Sequence, residues 1–275
     1  LYILFQESRV DWVWLVGTGL LLLGLQSVAF LLNDISDHMR GLDWSSGQRG
    51  SQVLQKGWLK LVELEKLSKI ILAGSLIVGG TLAVEHPLRG WVLGILALLL
   101  VSTFSFRKRG LKYLGLGDSL IFLGFGPLLM LGMFSKMQSW PWAFAVLAGS
   151  LCGWLAVLVF QLRQLETLFA DGVIKTGTFI SRLGFDRSKF FILAEFIGFL
   201  LFCTFSFEIL FGPWLTTMAM VALVPPFYFV GLRLKRAPSP LSSSLRSIGR
   251  RGVGLHIYFV SVVLVLMLIE HLWTV

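Results

Sequence analysis

Leu31 to Asp43 read LLNDISDHMRGLD, and they close an apolar run that begins just after Asp11. The run is about as long as a helix must be to cross a bilayer core, roughly 20 residues. Within a few positions the chain then changes from Leu to three carboxylates, as it does where a span leaves lipid for water. A spanning segment must satisfy its own backbone hydrogen bonds, so this one is read as a helix rather than as irregular chain.

The same pattern recurs along the molecule. Of 275 residues 56% are hydrophobic and only 14% charged, with a mean hydropathy of +0.80. That composition excludes an ordinary soluble domain and predicts an all-α integral membrane protein. Apolar windows bounded by Pro, Gly and charge give eight spans, about 11–32, 69–88, 90–106, 118–134, 141–163, 189–206, 212–232 and 253–273. They form a single transmembrane domain over residues 1–275. Cys152 and Cys203 both lie inside apolar runs and have no metal-type spacing, so they are read as small buried side chains.

The connecting segments alternate. Those at 33–68, 107–117, 164–188 and 233–252 are long and polar, and the others are short. Of the 24 Lys and Arg residues, all but Arg9, Arg89 and Lys136 fall in or beside the long loops. By the positive-inside rule these four loops are cytoplasmic caps, in a multi-pass protein of a bacterial-type inner membrane. The net charge of +9 is therefore assigned to membrane orientation and anionic lipid, with no nucleic acid as partner. Eight spans with a cytoplasmic first loop put residue 1 outside, and a ninth helix upstream would put the N-terminus inside.

Three of the loops carry chemistry. In the first, Asn33, Asp34 and Asp37 stand at the helix mouth, with the two acids three residues apart on one face. Two carboxylates beside an amide suit Mg²⁺, a hard cation commonly shared with substrate phosphates; equally, they suit an acidic loop start solvated at the headgroups. In the second, Arg107, Lys108, Arg109 and Lys112 form a cationic cluster able to attract headgroups or a diphosphate. Gly115, Gly117, Gly124 and Gly126 follow, removing bulk where the next helix packs or a ligand fits, and Asp118 either caps that helix or faces the same cavity. In the third, Arg163, Glu166, Asp171, Lys175 and Arg182 offer both signs of charge. The fourth is basic and rich in Ser and Pro, a connection suited to lie on anionic lipid. Glu195, within a predicted span, is either a functional intramembrane acid or a residue wetted near the interface.

Taken together, the loops resemble the UbiA superfamily of intramembrane prenyltransferases, most of all the branch that prenylates 1,4-dihydroxy-2-naphthoate in menaquinone biosynthesis. The resemblance is carried by NDISDHMRGLD with Gln55–Gly57, by YLGLGD at Tyr113–Asp118 followed by FLGFG, and by RQLETLFADG ending in SRLG at Ser181–Gly184. It implies a ring of nine helices around a cavity open to lipid, capped by the cytoplasmic loops. It also implies a transferase using Mg²⁺, a polyprenyl diphosphate or other isoprenoid lipid, and an aromatic acceptor. On that pattern Asp34 and Asp37 hold the metal, Asn33 joins them on the diphosphate, Tyr113 and Asp118 line the acceptor side as catalytic residues, and Arg163 and Lys175 contact phosphate. Lys112 and Arg49 join the substrate-binding set, although Arg49 is out of register with the family's arginines.

The chain also departs from the pattern. The family's second metal grip has aspartates where this chain has Gln164 and Leu168, and asparagines where it has Phe160 and Gln161. Glu166 and Asp171 are the nearby acids available as replacements. Two expectations follow. One is an active prenyltransferase with one intact metal site; the other is a non-catalytic subunit of the same fold that holds a quinone, isoprenoid or pigment, or scaffolds protein partners in a membrane complex.

Overall fold

The computed structural model describes residues 12–41, 52–85, 87–105, 110–133, 142–168, 177–240 and 242–274. Its elements are helical throughout, with no strand among the described residues. In chain order they are α1 (Trp12–Met39), α2 (Leu61–Glu85), α3 (Pro87–Phe104), a 3-10 turn (Leu111–Leu114), α4 (Gly117–Phe125) and α5 (Pro127–Met133). These are followed by α6 (Trp142–Leu168), the short α7 (Phe179–Leu183), α8 (Phe185–Lys235), a second 3-10 turn (Ser243–Leu245) and α9 (Ile248–Thr274). Five of these segments are long and apolar enough to cross a membrane, and the shorter Arg89–Phe104 and Gly117–Met133 are apolar as well.

Several helices outrun their predicted spans. The first continues through Asn33, Asp34 and Asp37 to Met39, α2 begins at Leu61 rather than near 69, and α6 carries Gln164, Glu166 and Leu168 on helix rather than in a loop. Hydropathy ends where lipid ends, but the backbone ladder continues wherever the next residues have no better partner than the preceding turn. The loops at 33–68 and 164–188 are correspondingly shorter than the composition suggests.

The predicted span at 118–134 is broken. Gly126 (φ −112°, ψ −112°) separates α4 from α5. A Cβ there would lie 2.6 Å from the Gly149 carbonyl oxygen and 3.0 Å from the Gly153 Cα. The bend therefore presses backbone against backbone on α6, where glycines four residues apart leave the room.

The α8 segment contains two spans. Gly212 adopts φ 75°, ψ 173°, inside an otherwise helical run. Phe199 and Phe227 would stand about 42 Å apart along an unbroken helix, yet their rings stack at 5.3 Å. The chain must fold back on itself at Gly212, as the separate predicted spans at 189–206 and 212–232 require. Lys189 donates to the Ala237 carbonyl oxygen at 2.7 Å, tying the two ends of this hairpin together.

Neighbour packs on neighbour in an arc. The first three helices cluster together, α3 meets α4 and α5, these lie on α6, and α6 packs against the α8 hairpin and α9. Gly24 faces Ser75 closely, so a side chain there would have to turn the Ser75 hydroxyl aside between α1 and α2. The best-buried core lies in the second half, where Phe199, Phe207, Phe227, Leu158, Leu162 and Leu223 are fully enclosed. Apolar residues such as Leu20, Ile77, Leu99 and Phe205 face outward. In water such a surface would drive association; in a membrane it is the lipid contact.

Candidate active site

The polar end of α1 meets the 3-10 turn that precedes α4. Lys112, 6% exposed, directs its ammonium to Asp37 Oδ1 at 2.7 Å and also to Asn33 Oδ1. The Tyr113 hydroxyl donates to the same Asp37 oxygen at 2.6 Å. Asn33 Nδ2 donates to Asp37 Oδ2 at 3.0 Å, one helical turn away. Ser105, just past α3, adds a hydroxyl to Asn33 Oδ1 at 3.3 Å, and its carbonyl oxygen accepts from Ser36. Four of the predicted residues, Asn33, Asp37, Lys112 and Tyr113, thus form one network, with Asp34 on the same stretch of helix.

Local geometry explains why the turn presents its side chains here. Gly115 takes φ 84°, closing the 3-10 turn in a conformation that disfavours any Cβ. Gly117 lets α4 start against the backbone of Lys112. On the far side, Gly177 sits so tightly on the Tyr113 carbonyl that a side chain would collide with it, and its φ of 77° also excludes one. Arg182, from the SRLG motif, donates to the Gly177 carbonyl at 3.0 Å and reaches the Tyr113 carbonyl at 3.5 Å. Tyr113 is held from behind by the third loop, bonded in front to α1, and covered on its ring face by the Arg40 guanidinium at 3.8 Å. Arg40, Ser105 and Arg182 were not singled out as site residues from the sequence. Arg40 left a signal in standing three residues beyond Asp37 on the same helical face, and Arg182 in belonging to the charged third loop and its SRLG motif.

A second polar group lies deeper. Gln161, 1% exposed on α6, donates from Nε2 to Asp118 Oδ2 at 2.8 Å. Glu195 on α8 lies close to the same amide, and the two carboxylates lie within electrostatic reach of each other. Asp118 therefore faces the interior rather than capping its own helix, which has no side-chain cap.

The remaining predicted residues divide. Glu166 lies apart from both groups: its Oε1 accepts from the Ser247 amide at 2.6 Å and its Oε2 from the Gly249 amide at 2.9 Å. It satisfies the unpaired N–H groups at the start of α9, where the helix dipole favours a negative charge. Where the sequence offered Glu166 as a replacement metal ligand, the structure sets both of its oxygens on the start of α9, apart from Asp34 and Asp37. Arg163 is exposed on the same end of α6, with its side chain against Gly249. Arg49, Asp171 and Lys175 lie outside the described residues.

Comparison with known proteins bears on the site. The chain is 26% identical over 217 residues to the 1,4-dihydroxy-2-naphthoate octaprenyltransferase of Escherichia coli, spanning 75% of this chain and 70% of that protein. It is likewise 26% identical over 171 residues to the enzyme of the same name from Haemophilus influenzae, spanning 60% of this chain and 56% of that one. Both of these similar proteins carry the name of a naphthoate prenyltransferase. The branch of the UbiA superfamily that the chain's loop motifs resemble is the one to which these relatives point. No family model matches the chain, and no solved structure does.

Among the described residues no three His, Cys, Asp or Glu side chains converge as a metal cage. The donor set at Asp34 and Asp37 nonetheless fits Mg²⁺, which characteristically takes one or two carboxylates and completes its shell with phosphate and water. Of the two Asp37 oxygens, Oδ1 accepts from two donors and Oδ2 from one. Oδ2 is thus the oxygen with a lone pair to spare.

Proposed function

We propose that the chain is a membrane prenyltransferase, moving a polyprenyl group from its diphosphate onto a hydroxylated aromatic acceptor of the naphthoate type. The observation that carries this reading is the Lys112–Asp37 pair with Tyr113 on the same carboxylate, assembled where a span meets water. A buried charge pair of this kind contributes little net stability relative to apolar residues, and is the sort of group retained for a binding task. The names of the two relatives supply the substrate class.

In this reading Asp34 and Asp37 are the residues that would hold Mg²⁺, and the bound ion would offset charge gathering on the departing diphosphate. Lys112 fixes Asp37 and supplies positive charge beside the phosphates; Arg40 and Tyr113 close the mouth around them. The allylic C–O bond breaks with its electron pair leaving on the diphosphate, a ring carbon of the acceptor supplies the pair for the new C–C bond, and that carbon then loses its proton to the departing diphosphate, which restores the aromatic ring. Apolar helix faces around the chamber keep water from the allylic cation. The long polar loops face the cytoplasm of a bacterial-type inner membrane, consistent with their share of Lys and Arg, and residues 1–275 act as one domain.

The test is turnover in membranes. Vesicles containing the protein, given geranylgeranyl diphosphate, 1,4-dihydroxy-2-naphthoate and Mg²⁺, yield a prenylated naphthalene that the Lys112→Met variant does not. Absence of product across several hydroxylated aromatic acceptors would overturn the proposal.

One observation favours a second reading, a non-catalytic subunit that binds a quinone or isoprenoid alongside protein partners. Glu166 is engaged by α9, and neither residue at the positions of the second metal grip, Gln164 and Leu168, is a carboxylate. Co-purification of stoichiometric partner chains, with no turnover by the isolated protein, would select this reading.

A further inference from the structure

Ser105 stands where α3 ends, 1% exposed and bonded twice to α1. Ser36, equally buried, donates its hydroxyl to the Ser105 carbonyl oxygen, a helix-end acceptor that the α3 ladder cannot satisfy. The Ser105 hydroxyl donates to Asn33 Oδ1 at 3.3 Å. The hydroxyls just before it go elsewhere: Ser102 and Thr103 both donate to the Leu99 carbonyl in their own helix. Ser105 therefore joins two helices through its backbone and spends its side chain on a residue of the mouth.

That bond completes the account of Asn33. A side-chain carbonyl oxygen has two lone pairs, and Asn33 Oδ1 accepts from the Lys112 ammonium with one and from Ser105 with the other. Its Nδ2 gives one hydrogen to Asp37 Oδ2 at 3.0 Å, and the second has no acceptor among the described residues. The amide cannot be turned over, because Nδ2 would then face the Lys112 ammonium and Oδ1 the Asp37 carboxylate. With its oxygen filled, Asn33 has no lone pair for a metal ion and one N–H for an anion. Loss of the Ser105 hydroxyl would give that oxygen a lone pair again and remove one of the two donors that hold it.

We propose that Ser105 is a positioning residue for the diphosphate: its hydroxyl fixes the Asn33 amide so that Asn33 meets phosphate as an N–H donor and leaves the metal to Asp34 and Asp37. The resemblance implies Asn33 on the diphosphate without saying through which atom. Ser105, outside the motifs that carry the resemblance, decides that. It also couples the end of α3 to the mouth, since the Ser36 hydroxyl it receives lies one turn along α1 from Asn33. The inference rests on the prenyltransferase reading for the identity of the anion.

The test uses the full chain in lipid nanodiscs and measures the affinity for geranylgeranyl diphosphate by calorimetry over a range of Mg²⁺ concentrations. Ser105→Ala is expected to weaken binding about fivefold, the scale of one hydrogen bond. In the Asn33→Ala background the same substitution should change the affinity by less than about twofold, because a residue that acts through Asn33 has nothing left to act on. Asn33→Asp, which puts an oxygen in place of the NH₂ group at the same size, should weaken binding about tenfold at every Mg²⁺ concentration. If Ser105→Ala fails to fold, Ser105→Cys, a weaker donor of similar size, takes its place in the cycle. An unchanged affinity in the Ser105 variant, or an equal loss with and without Asn33, would overturn the positioning role. Binding that Asn33→Asp leaves intact, or that it strengthens as Mg²⁺ rises, would overturn the donor assignment and make Asn33 a metal ligand. Failure of the unmodified protein to bind the diphosphate would overturn the prenyltransferase reading and this inference with it, an outcome distinct from binding that is indifferent to Ser105.

Discussion

Asp37 and Lys112 are separated by 75 residues of sequence, yet their charged atoms meet at 2.7 Å with both side chains largely withdrawn from water. The pair joins the first span to the turn before α4. Whatever binds at this mouth does so against a structure that the pair holds together.

Removing one partner should be costly. Lys112→Met leaves Asp37 half-buried without its counter-charge, and breaking a buried pair in this way costs about 3 kcal/mol. Thermal unfolding in detergent should show the loss, and Mg²⁺-dependent diphosphate binding should fall with it. Unchanged stability would mean that the pair is not formed in the membrane.

Tyr113→Phe isolates a single hydrogen bond. The ring remains under Arg40 while the hydroxyl on Asp37 is removed. A bond to a charged acceptor contributes about 1.5–3 kcal/mol, so diphosphate affinity should drop by at least tenfold if Tyr113 sets the Asp37 carboxylate. An affinity equal to that of the unmodified protein would assign Tyr113 a packing role only.

Glu166→Ala separates capping from metal binding. Loss of both amide contacts at the start of α9 should destabilise the protein by about 1–2 kcal/mol, measured as a lower melting temperature. Diphosphate binding at fixed Mg²⁺ should be unchanged. A selective loss of Mg²⁺-dependent binding at unchanged melting temperature would return Glu166 to the metal site.

Gly177→Ala probes the hold on Tyr113 from the third loop. The added methyl meets the Tyr113 carbonyl at a residue already in left-handed backbone, a combination costing about 1–3 kcal/mol. Because the strain falls on the turn carrying Lys112, the diphosphate affinity should weaken more than that of Gly132→Ala, where the added carbon meets nothing. Equal affinity in the two variants would detach the third loop from the site.

Much of the site was legible as residue types. Helical spacing puts Asp34 and Asp37 on one face, Lys112 stood out in its cationic cluster, and Tyr113 entered through the resemblance of YLGLGD. Glu166 could not be read in the same way. From sequence it is an acid near a lost metal position, and only the approach of Ser247 and Gly249 shows that it serves another helix. Gln161 looked like a loss, because its approach to Asp118 depends on neighbours that the sequence does not name.

The amino-acid order by itself determined that the chain crosses a membrane as helices and where most spans lie, since hydropathy and backbone satisfaction are local and additive along the chain. It also separated two apolar runs, 189–206 and 212–232, by a short connection, and the structure puts the break at Gly212. Tertiary structure alone decided which polar groups meet: Lys112 with Asp37, Gln161 with Asp118 and Glu195, Glu166 with the start of α9. Those choices depend on which charges and amides share a low-dielectric space once the helices have packed, and that is a property of several distant segments at once.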